Sequence, residues 1–193
     1  MLYYSKEEQR YGRNKETVIN HAYICSGEYR KKFDQISDNK KLNKLLYQLA
    51  KTMLEHRSGT LYEDMYWIDA ETATIVAREI ECIVESEIIY SENTLSKICK
   101  RRGLITIHTH PSSSPPSYAD LLSNYIRGYS LGIVCGHNGN VYTYIANEEI
   151  PEERYDSIAR KCYKRFGNKE DVLLSIMEEL QQQFNVIIKE VKL

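Results

Sequence analysis

The sequence lacks a surplus of charge of either sign. Its 193 residues carry 26 Lys and Arg against 27 Asp and Glu, a formal net charge of -1. That balance gives no global pull toward a nucleic acid or an anionic membrane surface. The short basic run of Lys97, Lys100, Arg101 and Arg102 is expected to be a solvated helix end. No stretch approaches the roughly 18 consecutive apolar residues that cross a bilayer. The opening MLYYSKEEQRYGRNKE is charged early and has no apolar core of signal-peptide length. These absences predict a cytoplasmic protein with no membrane and no nucleic-acid partner. No CxxC pair occurs, and the five cysteines are scattered and odd in number, so reduced and mostly buried thiols are expected. Internal repeats and low-complexity tracts are missing too. What is present, 42% hydrophobic and 27% charged residues, is ordinary for a soluble globular chain able to bury one core.

Residues 1–40 are polar and irregular apart from an apolar patch between Val18 and Ile24. They are expected to form an N-terminal extension, partly ordered at best, ahead of a domain over 41–193. The domain begins with a helix: Leu42, Leu45, Leu46, Leu49, Met53 and Leu54 recur at helical spacing, and Gly59 follows as a stop. MYWID (65–69) and TATIVARE (72–79) read as a hairpin. ECIVESEIIY (81–90) reads as a further strand, and residues 91–101 as a short helix capped by Ser91. LITIH (104–108) is a strand. Residues 111–117 form a loop, and a helix follows with Leu121, Leu122, Tyr125 and Ile126 inward. Strands over 132–135 and 140–145, helices over 152–166 and 169–184, and a closing strand complete the chain. The alternation predicts an α/β (α+β) fold, a mixed central β-sheet flanked by helices.

The chemistry concentrates in IHTHPSSSPPSYADL, residues 107–121. Positions i and i+2 of a strand share a face, so His108 and His110 project side by side while Ile105 and Ile107 face the core. The loop turns the chain back, and Asp120 falls in the first turn of the next helix, where its carboxylate faces the strand end. Two imidazoles and one carboxylate leave a fourth tetrahedral position open, the donor set of a catalytic zinc rather than a structural one. Taken alone, an HxH pair is more often incidental, and Ser117-Tyr-Ala-Asp120 is a helix capping box. Their proximity across one loop favours the metal reading, which is compatible with Ser117 capping the helix. His137, in the turn CGHNGN, is expected at the surface. His56 is a candidate helix-end cap, His21 has no context, and Cys135 reads as core.

His108-Thr-His110-Pro111 followed by Ser117-Tyr-Ala-Asp120 resembles the JAMM (MPN-plus, JAB) motif of the zinc metallo-isopeptidases. That pattern is HxH, usually seven residues, then SxxD; here six residues, 111–116, fill the gap. The order of elements from 41 to about 190 is similar to the family's as well. The resemblance implies a JAB/MPN-like, cytidine deaminase-like catalytic domain over 41–193. It implies one Zn2+ on His108, His110 and Asp120, and Ser117 as an oxyanion donor. It also implies a glutamate entering the first strand as general acid/base. Glu63 stands there, with Asp64 as its competitor. The implied activity is hydrolysis of a peptide or isopeptide bond, with a protein or peptide substrate that includes the tail of a ubiquitin-like protein. The other class carried by the family is a non-catalytic MPN-type binding scaffold. A zinc deaminase needs HxE with a later PCxxC, and the sequence has neither. Oligomeric state is not legible.

Overall fold

The computed structural model describes residues 14–193. The elements run as a short 3-10 turn (Lys15–Thr17), α1 (His21–Ile24), α2 (Gly27–Phe33), α3 (Lys40–Arg57), β1 (Met65–Asp69), β2 (Thr74–Glu79), α4 (Glu92–Ile98) and β3 (Ile105–His110). They continue with α5 (Tyr118–Arg127), β4 (Leu131–Gly136), β5 (Val141–Ala146), α6 (Glu152–Arg165), α7 (Lys169–Gln183) and β6 (Val186–Glu190). The strands form one six-stranded mixed sheet in the order β2-β1-β3-β4-β5-β6. Only β3 and β4 pair in parallel. Two parallel neighbours need a crossover rather than a hairpin, and α5 lies in that connection.

The sheet separates two apolar layers, and side-chain alternation decides which residue serves which. Ile107 on β3 and Ile133 and Cys135 on β4 pack with α1 to α3 through Ile24, Phe33, Leu46 and Met53. Val134 and Tyr144, on the opposite face, pack with α5 to α7 through Leu121, Ile158 and Leu180. A smaller cluster gathers Met65, Trp67, Ala77, Ile98, Leu104 and Tyr129. All six residues of β3 are buried, as expected of a strand covered on both faces. Helix α3 starts where Asn39 accepts the amide hydrogens of Lys41 and Leu42, an N-cap that satisfies two orphan donors. It ends before Gly59, whose φ of 74° is a left-handed conformation that costs glycine least.

Four expectations need correction. Residues 14–40 do not stand apart from the domain: Ile19, Ile24, Tyr29 and Phe33 are buried in the same cluster as α3, and Lys32 Nζ donates to the carbonyl of Gly139 at 2.9 Å. Burial of those aromatics supplies the ordering energy that their polar neighbours hide in the sequence; residues 1–13 lie outside the described residues. The segment 81–90 is no sheet strand. It makes one isolated bridge, Tyr62 to Glu85, and Ile88 and Tyr90 pack against the Trp67 cluster instead. On α5, Leu121 and Asn124 turn inward, whereas Tyr125 and Ile126 are exposed. The helix rotation is set by Asn124 Oδ1, which accepts the Ala146 amide at 2.9 Å, and by Asp120. Among the cysteines, all free, only Cys135 and Cys162 are buried. No helix among the described residues is long and apolar enough to cross a membrane.

Candidate metal centre

The extended backbone of β3 carries the two histidines to one face of the sheet at its C-terminal end. Their rings lie 4.8 Å apart between centroids, and their Nε2 atoms are 3.0 Å apart. The chain then leaves the strand through Pro111 and a loop whose Ser113 has a φ of 57°. That loop is pinned to the turn between β4 and β5. Asn138 N donates to Ser113 Oγ at 2.9 Å, and a Cβ at Gly136 would sit 3.1 Å from Ser113 Cα. Glycine at 136 is therefore what lets the two loops approach.

Ser117 closes the loop as the N-cap of α5 and forms a capping box with Asp120. Its Oγ accepts the Asp120 amide at 3.2 Å and donates to Asp120 Oδ2 at 2.7 Å; the Ser117 amide donates to the same oxygen at 2.7 Å. The box holds the carboxylate against the imidazoles, with Oδ1 3.2 Å from His108 Nε2 and Oδ2 3.4 Å from His110 Nε2. His108, His110 and Asp120 are thus brought together as the sequence predicts, with one ligand atom from each within 4.8 Å of the others. The Ser117 hydroxyl is aimed at the Asp120 carboxylate, so an oxyanion role requires it to turn away from Oδ2.

The donor set fits a divalent cation. Ligand atoms about 2.05 Å from a tetrahedral zinc stand about 3.3 Å apart, close to the 3.0 Å between the two Nε2 atoms and to the 3.2 and 3.4 Å at which each of them meets a different oxygen of Asp120. His110 Nδ1 lies 3.0 Å from the Ser114 carbonyl oxygen. A carbonyl only accepts, so Nδ1 carries the proton and Nε2 presents its lone pair to the cluster, the arrangement in which histidine binds metals. Lone pairs converging at this spacing repel unless a cation or an extra proton lies among them. The electrostatics agree. Burial alone would depress the His110 imidazole, but the hydrogen bond and charge of Asp120, with Glu63 nearby, push it up to about 9. Burial likewise opposes the Asp120 carboxylate, yet the two imidazoles hold it well below the usual carboxylate range. Among the described residues, His108 Nδ1 is buried without a hydrogen-bond partner.

Glu63 and Asp64 separate cleanly. The β1–β3 ladder pairs Met65 with His108 and is extended when Thr109 N donates to the Asp64 carbonyl at 3.1 Å. Alternation then puts Glu63 on the histidine face. It is buried and lines the same cavity as His110, Ser117 and Asp120. Burial raises its carboxyl above the ordinary value, opposed by the two imidazoles. Asp64 faces the other way, where its carboxylate accepts from Arg57 Nε and meets His56 Nδ1 at 2.7 Å. It is a structural ion pair, and His56 belongs to it.

The cavity has a volume of about 570 Å³. Tyr144, from β5, reaches it across β4 because Gly132 has no side chain: a Cβ there would fall 2.0 Å from Tyr144 Cζ. This pairing was missed in the sequence, where a glycine inside a strand was the one available signal. His137 is buried rather than at the surface, its Nδ1 2.6 Å from the Thr17 carbonyl. His21, Cys25 and Glu55 form a second group of potential donors. His21 Nε2 is 2.9 Å from Glu55, with the Lys51 ammonium 3.9 Å from the same carboxylate. That group is a partly exposed ion-pair network tying α1 to α3. In comparisons with known proteins, the chain matches no family model, no curated protein and no solved structure.

Proposed function

We propose that this chain is a zinc-dependent hydrolase of the JAMM type, with a JAB/MPN-like catalytic domain, that cuts a peptide or isopeptide bond. The observation that carries the reading is the convergence of His108, His110 and Asp120 on one point, beside a buried glutamate in the same cleft. A divalent cation held there would polarise a carbonyl and acidify water. His108 and His110 supply neutral nitrogen donors, and Asp120 supplies the charge. Ser117 positions Asp120. Glu63, raised by burial toward the range in which a carboxyl can both take and give a proton, accepts the proton of the attacking water. It then returns that proton to the departing amine as the C–N bond breaks. The proposed substrate is a protein or peptide, the extended tail of a ubiquitin-like protein included, the class that goes with the resemblance of the HxH and SxxD residues to the JAMM motif.

Metal analysis of purified protein tests the centre. About one zinc per chain should be present, kept in Glu63→Gln and largely lost in Asp120→Ala. Cleavage of ubiquitin-like tail fusions should be stopped by a chelator, restored by zinc, and absent in Glu63→Gln. Undiminished zinc in Asp120→Ala, or full turnover by Glu63→Gln, removes the assignment.

A further inference from the structure

The same cleft contains a second charged feature that the hydrolytic groups leave unused. Asp120, Ser123 and Arg127 all line the cavity, and their spacing of i, i+3 and i+7 puts them on one face of α5. Along the helix axis the backbones of Asp120 and Arg127 are therefore two turns, about 10 Å, apart. Its guanidinium lies over the Tyr90 ring, 5.0 Å from the centroid. Tyr90 in turn meets Trp67 edge-on at 4.9 Å, and Trp67 Nε1 donates to the Tyr129 hydroxyl at 2.8 Å. The guanidinium is thus seated against an aromatic wall in which Trp67 and Tyr129 are buried.

Among the described residues lining the cavity, Arg127 is the only Lys or Arg. No carboxylate of the described residues pairs with it. Glu87 also lines the cavity, but it is exposed and forms no ion pair with Arg127. The cleft is thus polarised, with Glu63 and Asp120 at the metal end and an unneutralised arginine further along. The unpaired guanidinium draws an entering carboxylate to its own stretch of the cleft, which orients a ligand as well as binding it.

The geometry points to a carboxylate-binding subsite at Arg127. It takes an acidic side chain or the free C-terminal carboxylate of a peptide, through the planar fork that suits two carboxylate oxygens. An extended chain advances about 3.3 Å per residue, so the carboxylate sits about three residues from the bond at the metal centre. That register rests on the hydrolase reading; the ligand chemistry does not.

The test uses a hexapeptide library with Glu, Gln or Lys at each position in turn, made both as free acids and as C-terminal amides. Binding is read by fluorescence anisotropy on zinc-loaded Glu63→Gln protein, with and without Arg127→Gln or Arg127→Lys, and cleavage on the otherwise unaltered enzyme. One arm should show preference: Glu over Gln at one position for a side-chain ligand, or acid over amide for a terminus. The preference should be about ten- to a hundredfold, the contribution of one charge-assisted contact. It should collapse in Arg127→Gln and survive in part in Arg127→Lys. If Arg127 only braced Tyr90, both members of each peptide pair would weaken together. Absence of any acidic preference, absence of binding, or a preference that persists in Arg127→Gln overturns the subsite. Acid-dependent binding without cleavage by the unaltered enzyme leaves the subsite standing and removes the hydrolase reading instead.

Discussion

Replacing Ser117 by alanine separates two roles that its position allows. The hydroxyl makes two contacts, accepting the Asp120 amide at 3.2 Å and donating to Asp120 Oδ2 at 2.7 Å. Loss of the first removes an N-cap, at about 1 kcal/mol of stability. Loss of the second leaves the ligand carboxylate less firmly oriented. Partners of this kind typically contribute 10- to 100-fold to metal affinity, a range of roughly 1.4 to 2.8 kcal/mol. The lower end applies here, for two reasons. The Ser117 amide still donates to Oδ2 at 2.7 Å after the substitution, and Ser117 is exposed, so water replaces part of the lost bond. The expected result is a zinc affinity about tenfold weaker, measured by competition with a chromogenic chelator. The urea-unfolding free energy of the metal-free protein should drop by about 1 kcal/mol. If zinc affinity stays at the wild-type value while kcat falls, the hydroxyl acts on the substrate rather than on Asp120, and the positioning argument is wrong.

Asp64→Ala tests the separation of the neighbouring carboxylates. It strands the fully buried Arg57 guanidinium, and breaking a buried pair from one side costs about 3–5 kcal/mol. Urea denaturation should show that loss while zinc content per folded chain is retained; a change under about 0.5 kcal/mol, the range of an ordinary surface substitution, would contradict the burial of the pair. Glu63 gives a pH-dependent signature. Its folded-state value is raised, so the metal-free protein is stabilised by protonation at low pH and loses that contribution as pH rises through the raised value. Glu63→Gln should therefore melt higher than the unaltered protein near neutral pH, with the difference vanishing in acid.

The parts of the site legible in the sequence are those set by short-range geometry. Alternation along 105–110 fixes which residues of β3 share a face, and a capping box fixes where Asp120 points, so thirteen residues contain all three donors. The parts that were not legible depend on distant partners. Helices α1 and α2 have four and seven residues, too few turns for periodicity to reveal that Tyr29 and Phe33 are core. Segment 81–90 has strand-like residues but joins no strand, making one isolated bridge from Glu85 to Tyr62 while Ile88 and Tyr90 pack against the Trp67 cluster. The apolar residues Tyr125 and Ile126 lose the inner face of α5 to Asp120 and Asn124, because Asn124 Oδ1 accepts the buried Ala146 amide, a donor that an apolar side chain would leave unpaired.

The same contrast explains how the N-terminal segment bears on the metal centre without touching it. Thr17 accepts from Gly59 N at 3.1 Å, just after α3, and its carbonyl meets His137 at 2.6 Å. A carbonyl only accepts, so His137 Nδ1 carries the proton and the turn between β4 and β5 is anchored. That turn holds the 111–116 loop through Asn138 and Ser113, and His137 N donates to the His110 carbonyl at 3.4 Å. The loop in turn delivers Ser117 and Asp120. The donors are thus encoded within one short stretch, but the loop that brings the third to the other two is braced by a distant turn that Thr17, near the start of the described chain, anchors. Packing of 14–40 into the core is therefore a condition of the geometry at His108, His110 and Asp120, and not an appendage to it.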